Sequence, residues 1–497
     1  MSSFTLIDPP AKLTETDFRT FKRPDMTLPS IALSRREFLR TSGLGCGSLA
    51  LAHLLHGDGQ LGAAEKKPHF APKAKSVIWL FMTGGPSHVD TFDYKPELQK
   101  RDGQKLEGAD SKTGFFTTSG KCLASPFKWS RHGQSGSWVS DVFPNVAKHA
   151  DDMAFIHSCH SVANNHAPAS MELAAGMSRP GYPTLGAWLS YGLGSTNENL
   201  PAFVVMHDNK PRGDDGIWSP GFLPKTHQPL LLDARQKESI RDVSPFAGMT
   251  DDRQKAQLEL LREANLAHLR QRGDLPDLTA RIRSFELAYR MQSAAPEALD
   301  LSREAEKTKN LYGMNNKDCS TFGRQCLMAR RLVERGVRFV QVFCPTNRIS
   351  GGAVADVPWD GHSDILTNHR DCGMMTDIPF AGLLADLKQR DMLKDTLVIW
   401  GGEFGRTSDA QDGKGRDHNP HAHTTIFCGG GVKGGVHYGK TDDFGYKAVE
   451  DRVSVNDLQA TILHLTGLDH TKLTYRHNGR DFRLTDVAGR VIKDIIS

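Results

Sequence analysis

The chain has 497 residues, a net charge of +4 and 38% hydrophobic residues. That is length for one large α/β domain or two or three ordinary ones. So small a basic excess excludes a dedicated nucleic-acid binder, and the balance calls for neither a membrane nor an acidic partner.

Ser34-Arg35-Arg36-Glu37-Phe38-Leu39-Arg40 precedes a small and apolar run, Thr41–Leu55, and Gly62-Ala63-Ala64 offers a small-residue cleavage site. This stretch resembles a twin-arginine export signal, which implies passage through the twin-arginine translocase to the periplasm or beyond. The run is too short and too glycine-rich to span a bilayer. Cys46 follows Gly43-Leu44-Gly45, a poor lipoprotein box. Residues 1–33 make a long lead for such a signal, so Met26 is an alternative start and residues 1–25 are expected to be dispensable. The expected division is a signal region, 1–64, and one domain, 65–497. Of eight cysteines, Cys46 belongs to the signal and seven remain, with no CxxC and no spacing that suggests a disulfide framework.

Beyond a Lys/Pro/Ala linker near Glu65–Ala74 come β-type runs at Val77–Met82, Met153–Ile156, Phe203–Met206, Val337–Phe343, Leu397–Trp400 and Thr424–Cys428. Most are continuous rather than alternating, as strands buried on both faces of a parallel sheet are. Arg101–Trp138, rich in Gly, Ser and Lys, reads as loops with weak hairpins. Asp251–Glu304 is long, charged and helical, and Leu258, Leu260, Leu261, Leu266 and Leu269 fit no sustained heptad. It reads as a helical insertion broken at Asp274-Leu275-Pro276. Thr321–Glu334 ends at Gly336 and feeds the run at Val337. Asp377–Leu393 places Phe380, Leu383, Leu384 and Leu387 at helical spacing and leads into the strand at Leu397. Buried strands alternating with helices specify an α/β fold: a mostly parallel central sheet with helices on both faces.

Four loops bring imidazole and carboxylate to strand ends or close to them. They are Thr83-Gly84-Gly85-Pro86-Ser87-His88-Val89-Asp90, Asn164-Asn165-His166-Ala167-Pro168-Ala169-Ser170, Trp359-Asp360-Gly361-His362-Ser363-Asp364, and the segment after Trp400 with Glu403, Asp417, His418 and His421. A lone histidine is more often a satisfied surface or core residue, but four such loops in one chain strengthen one another. Ligands of an open parallel sheet collect outside the carboxyl ends of its strands. Histidine with Asp or Glu suits zinc, manganese or calcium rather than a soft metal.

The segment from the helix at Asp377 through Gly402-Glu403-Phe404-Gly405 resembles the part of the alkaline phosphatase/sulfatase superfamily that ends in Ser-Asp-His-Gly. Asp360-Gly361-His362 resembles its Asp…Gly-His metal pair, and His418 its late metal-binding histidine. The twin-arginine start, FMTGGPSHVDTFD, GGEFGRT and GRDHNPHA together resemble the DUF1501 family, related to those hydrolases, over roughly Lys75–Thr466. The departures matter as much. His166-Ala167-Pro168-Ala169-Ser170 falls on the sulfatase Cys-x-Pro-x-Arg, so His166 stands where the nucleophile would be and Ser170 where the arginine would be. Cys344-Pro345-Thr346-Asn347-Arg348 is a near miss in the wrong chain context. Thr83-Gly84 follow the first strand where the superfamily has an acidic residue, and Phe404 replaces a histidine, so one of two metal sites is expected to be remodelled or lost.

The resemblance implies an alkaline phosphatase-like fold and an exported metal-dependent hydrolase of phosphate or sulfate esters. The rival is a non-catalytic exported protein that holds metal for stability or binds polysaccharide. Expected metal ligands are Asp360, His362, Glu403 and His418, then His88, Asp90, Asp417 and His421. His166 is the catalytic candidate, as a ligand or acid/base ahead of nucleophile, and Arg406 and Lys414 are candidates to neutralise an anionic substrate. The expected cofactor is a divalent metal, zinc first, then calcium or manganese. The expected partner is a small-molecule or polysaccharide ester, with no nucleic acid and no stable membrane insertion.

Overall fold

The computed structural model describes residues 67–106, 114–233, 249–272, 276–346, 349–354 and 356–497. The twin-arginine motif, Cys46 and the cleavage site lie outside them.

The central sheet has nine strands. In chain order they are β1 (Ser76–Phe81), β2 (Met153–His160), β3 (Phe203–His207), β4 (Leu230–Asp233), β5 (Phe339–Phe343), β6 (Thr396–Gly401), β7 (His423–Cys428), β8 (Val436–Tyr438) and β9 (Val453–Ser454). Across the sheet the order is β8-β2-β7-β6-β1-β5-β3-β4, with β9 beside β2. All pairings are parallel except those of β7 with β6 and β2. The longer helices are α1 (His166–Ala175), α2 (Leu185–Leu193), α3 (Asp251–Arg272), α4 (Pro276–Leu299), α5 (Ser320–Glu334), α6 (Ile365–Gln389) and α7 (Val455–Leu465).

Every residue of β1, β5 and β6 is buried, because helices cover both faces. Side chains alternate across the pleat. Val77, Trp79 and Phe81 therefore enter one core with Trp188 of α2 and Ile462 of α7. Ile78 and Leu80 enter the other with Phe322 and Leu327 of α5 and Phe380 and Leu384 of α6. The predicted runs at β1 and β6 are continuous for this reason, and β5 is broken only by the buried Gln341. The short strands β8 and β9 carry no comparable run, and β4 has only Leu230-Leu231-Leu232.

Helix α6 begins at Ile365, where Asp364 Oδ1 accepts from Thr367 N at 3.0 Å, twelve residues ahead of the Asp377 that the apolar spacing predicts. Its first turns bury polar residues, which erase the periodic signal. Asn368 Nδ2 donates to Pro358 O at 2.9 Å, and His369 Nε2 accepts from Ser87 N at 2.8 Å. Helices α3 and α4 fill the charged stretch after Asp251. The end of α4 is clamped on α5, where Arg331 Nε donates to Ala298 O at 2.8 Å. Cys122, Cys159, Cys319, Cys326, Cys344, Cys372 and Cys428 are all buried and unpaired. Among the described residues no helix is long and apolar enough to cross a membrane.

Candidate metal centre

The loops at the carboxyl ends of the strands hold the site. His166 opens α1 shortly after β2, and Asp360 and His362 come from the connection between β5 and α6. Glu403 follows β6 directly. His418 lies between β6 and β7, paired across a two-residue ladder with Arg406. The turn at 359–362 is pinned from two sides: Trp359 N donates to Thr83 O and Arg416 N to Gly361 O, both at 3.0 Å. Gly415 must be glycine, since a Cβ there would lie 1.5 Å from His362 O.

Asp360 Oδ1 is the meeting point. His362 Nε2 lies 2.9 Å from it, His166 Nε2 3.2 Å and His418 Nε2 3.3 Å. The Nε2 atoms of His362 and His418 are 3.0 Å apart. One donor atom from each of His166, Asp360, His362 and His418 lies within 4.8 Å of the others.

The far side of each ring fixes its tautomer. His166 Nδ1 lies 2.7 Å from Glu403 Oε1, His362 Nδ1 2.6 Å from Gln411 Oε1, and His418 Nδ1 2.6 Å from Asn164 O. All three partners only accept, so each neutral ring donates through Nδ1–H and turns a bare Nε2 lone pair inward. Three lone pairs and a carboxylate oxygen converge with no donor among the three rings to join them, and His166 Nε2 makes no aligned hydrogen bond. This is the inner and outer arrangement of a metal-ligating histidine set, and the donor set fits a divalent cation.

Electrostatics agree with the packing. Burial alone would raise the Asp360 carboxyl, but Arg406 and then the three imidazoles hold it well below the usual carboxylate range. Burial pushes His418 down to about 3. For His166 burial works downward too, yet the Asp360 and Glu403 carboxylates on either side of the ring outweigh it and raise the ring.

The remaining predicted residues sit around this group rather than in it. Glu403 Oε1 accepts from Gly84 N at 2.9 Å as well as from His166, so Glu403 stands behind a ligand. Asp417 Oδ1 accepts from His418 N at 2.8 Å and lies 3.7 Å from His362 Nδ1. Asp90 is bound by Arg416, Nε to Oδ2 at 2.6 Å, with both side chains fully buried, so its charge is already matched. His88 is buried and directs Nε2 to Gly445 O at 2.7 Å. His421 is half-buried, and its backbone is held by Asn419 Oδ1 and Ala448 N. Arg406 is buried and spent: it donates to Gly85 O at 2.9 Å, Arg416 O at 3.2 Å, Gly84 O and Asp360 Oδ1. It is closed to a substrate, whereas Lys414 is exposed. Phe404 forms an apolar wall, its ring 4.5 Å from that of His418 and 5.0 Å from that of His166. Gln411 and the Asn164 carbonyl escape a sequence reading, because an amide and a main-chain oxygen carry no ligand signal.

No curated protein matches the chain. Among solved structures it is similar to a phosphonate monoester hydrolase from Silicibacter pomeroyi, with 10% identity, TM-score 0.36 and 71% of each chain covered. It is similar to a sulfatase from Pseudoalteromonas sp., with 13% identity, TM-score 0.33, and 84% of this chain and 70% of that one covered. An alkaline phosphatase from the Antarctic bacterium TAB5 gives 11% identity and TM-score 0.31, with 79% of this chain and 98% of that one covered. At such identities and TM-scores the likeness assigns no activity. The family is plain: a model described as a protein of unknown function matches residues 74–496, and the chain belongs to that family, DUF1501.

Proposed function

We propose that this protein is an exported metal-dependent hydrolase of phosphate or sulfate esters. The observation that carries the reading is the convergence of three imidazole Nε2 atoms on Asp360 Oδ1, each ring held from behind by an acceptor. His166, Asp360, His362 and His418 would hold a divalent cation, which would supply Lewis acidity toward an ester oxygen and toward water. Zinc suits three nitrogens and one oxygen best, with manganese next. Three imidazoles count against calcium, which takes oxygen ligands.

The chain's own residues do the rest. Glu403, Gln411 and Asn164 orient the rings, and Arg406 keeps Asp360 ionised. His166 acts as a ligand rather than as a nucleophile, because its Nδ1–H is committed to Glu403 and its Nε2 faces the carboxylate. Water is then the attacking group. Export rests on the motif at Ser34–Arg40; Arg35→Lys with Arg36→Lys should block it, and a chain begun at Met26 should still be exported.

The test is metal content of the purified protein alongside hydrolysis of an aryl phosphate, an aryl sulfate and a phosphodiester. One zinc per chain, with turnover lost in His418→Ala, supports the reading. A chain that takes up no divalent metal refutes it. Metal without turnover on any ester refutes the hydrolase half and leaves the exported metal-holding, polysaccharide-binding protein.

A further inference from the structure

Two large aromatic side chains stand beside the centre half in water. Phe115 and Phe116 are each 49% exposed. The Phe116 ring stands edge-on to His362, 5.0 Å between centroids at 89°, and the Phe115 ring lies 5.7 Å from that of His418. The two rings meet at 85°, 5.0 Å apart, and so form a corner beside the ligands.

The backbone beneath them is fixed. Phe116 N donates to Asp417 Oδ2 at 2.6 Å, and Asn164 Nδ2 donates to Gly114 O at 3.0 Å. Those two anchors are the groups that flank His418: Asp417 precedes it in the chain and accepts its N–H, and Asn164 O accepts from its Nδ1. The approach is so close that a Cβ at Gly114 would lie 2.0 Å from Asp417 Oδ2. Further along, Ser119 N donates to Ala410 O at 2.8 Å and Gly120 N to Asp409 Oδ2 at 3.2 Å. Half-exposed rings add less to the fold than buried ones, since stabilisation follows apolar area removed from water. Rings carried on an anchored backbone at that exposure beside a ligand set offer what recognition uses, an apolar wall close to a few polar groups.

We infer that Phe115 and Phe116 form an aromatic platform that receives a flat ring carried by the ester substrate, an aryl group or the apolar face of a pyranose. The inference rests on the hydrolase reading, because the ester group at the metal ligands places the ring on the platform. It makes the two phenylalanines specificity determinants and leaves the reacting atoms to the ligand set.

The test is calorimetry on the full zinc-loaded protein with phosphonates, which bind without being cleaved at an ester. Aromatic contacts of this kind are worth about 2- to 10-fold in affinity per ring. Phenylphosphonate should therefore bind about tenfold more tightly than methylphosphonate. In Phe115→Ala/Phe116→Ala that preference should fall below about threefold, with zinc content and methylphosphonate affinity unchanged. A C-glycosyl phosphonate separates the sources: preference for it over phenylphosphonate assigns a pyranose, the reverse an aryl group. Equal binding of all three by the native protein overturns the platform and spares the hydrolase reading. Failure of every phosphonate to bind overturns both. A preference that survives the double substitution places the ring elsewhere and overturns the inference.

Discussion

Glu403 separates an orienting role from a ligating one, because its two oxygens are used unequally. Oε1 accepts from Gly84 N at 2.9 Å and His166 Nδ1 at 2.7 Å, while Oε2 is buried and unpartnered. In Glu403→Gln the amide oxygen can keep both bonds and the NH2 group takes the empty place, so geometry survives and only charge is lost. Outer partners of metal-ligating histidines contribute about 10- to 100-fold in metal affinity. Glu403→Gln should sit near the lower end, about tenfold or 1.4 kcal/mol. Glu403→Ala removes the acceptor, so zinc affinity should fall about 100-fold. Two buried N–H groups are also left without partners, at about 1–3 kcal/mol of stability each. The assay is chelator competition for zinc on both variants, with urea denaturation of the metal-free proteins. A fall beyond about 1,000-fold in Glu403→Gln would place Glu403 on the metal itself, since an amide is a far poorer ligand than a carboxylate, and would refute the assignment. Native affinity in Glu403→Ala would refute it from the other side.

The buried pair Asp90–Arg416 gives a second expectation. Asp90→Ala should cost about 3–5 kcal/mol by stranding a guanidinium, and Asp90→Leu/Arg416→Met should recover most of that, both read by urea denaturation. Zinc content of the folded double variant should stay native, and its loss would bring Asp90 into the metal site. Acid sensitivity is the third. Burial holds His369 near 3 against an ordinary 6.5, so below 6.5 the unfolded chain binds a proton that the folded chain refuses. Its share of stability is whole above pH 6.5 and is lost as pH falls toward 3, at up to about 1.4 kcal/mol per unit. His369→Gln should flatten the measured fall of stability over that window, and an unchanged slope would rule this out.

Part of this was legible in the chain and part was not. Strands β1 and β6 announce themselves because burial on both faces favours unbroken apolar runs, and β5 does so despite Gln341 in its middle. Imidazole and carboxylate at strand ends suggest a shared site, and the structure brings Asp360, His362, His418 and His166 together from their separate loops. Their division of labour with Glu403 and Asp417 was not legible in the chain. Whether a carboxylate faces a cation or the back of an imidazole depends on a few ångströms that spacing does not encode. Arg406 shows the same limit: as a cation near a site it suggests an anion partner, but its pairing with His418 across a ladder turns it inward onto Asp360. Phe115 and Phe116 sit in a Gly/Ser/Lys-rich stretch, and only the hydrogen bonds to Asp417 and Asn164 bring that stretch to the site.

Charge gives an argument for the metal independent of donor geometry. Three carboxylates touch the ligand histidines: Asp360 on Nε2, Glu403 on a Nδ1, and Asp417 on the His418 N–H. Arg406 pairs with Asp360, while Glu403 accepts only from a backbone N–H and an imidazole. Asp417 accepts from the backbone N–H groups of Phe116 and His418, and burial raises its carboxyl. Counted as ionised, the three carboxylates face one guanidinium and leave two charges to be matched, and Glu403 and Asp417 are both fully buried. Buried charge of that size is costly unless matched. Protons on the imidazoles could match it, and the raised His166 is the first to take one. Those protons would sit on the Nε2 atoms that face one another, 3.0 Å apart for His362 and His418. One divalent cation at the same point would remove the imbalance and occupy the lone pairs together. The buried carboxylates of Glu403 and Asp417 would therefore favour that cation from behind the histidines without touching it.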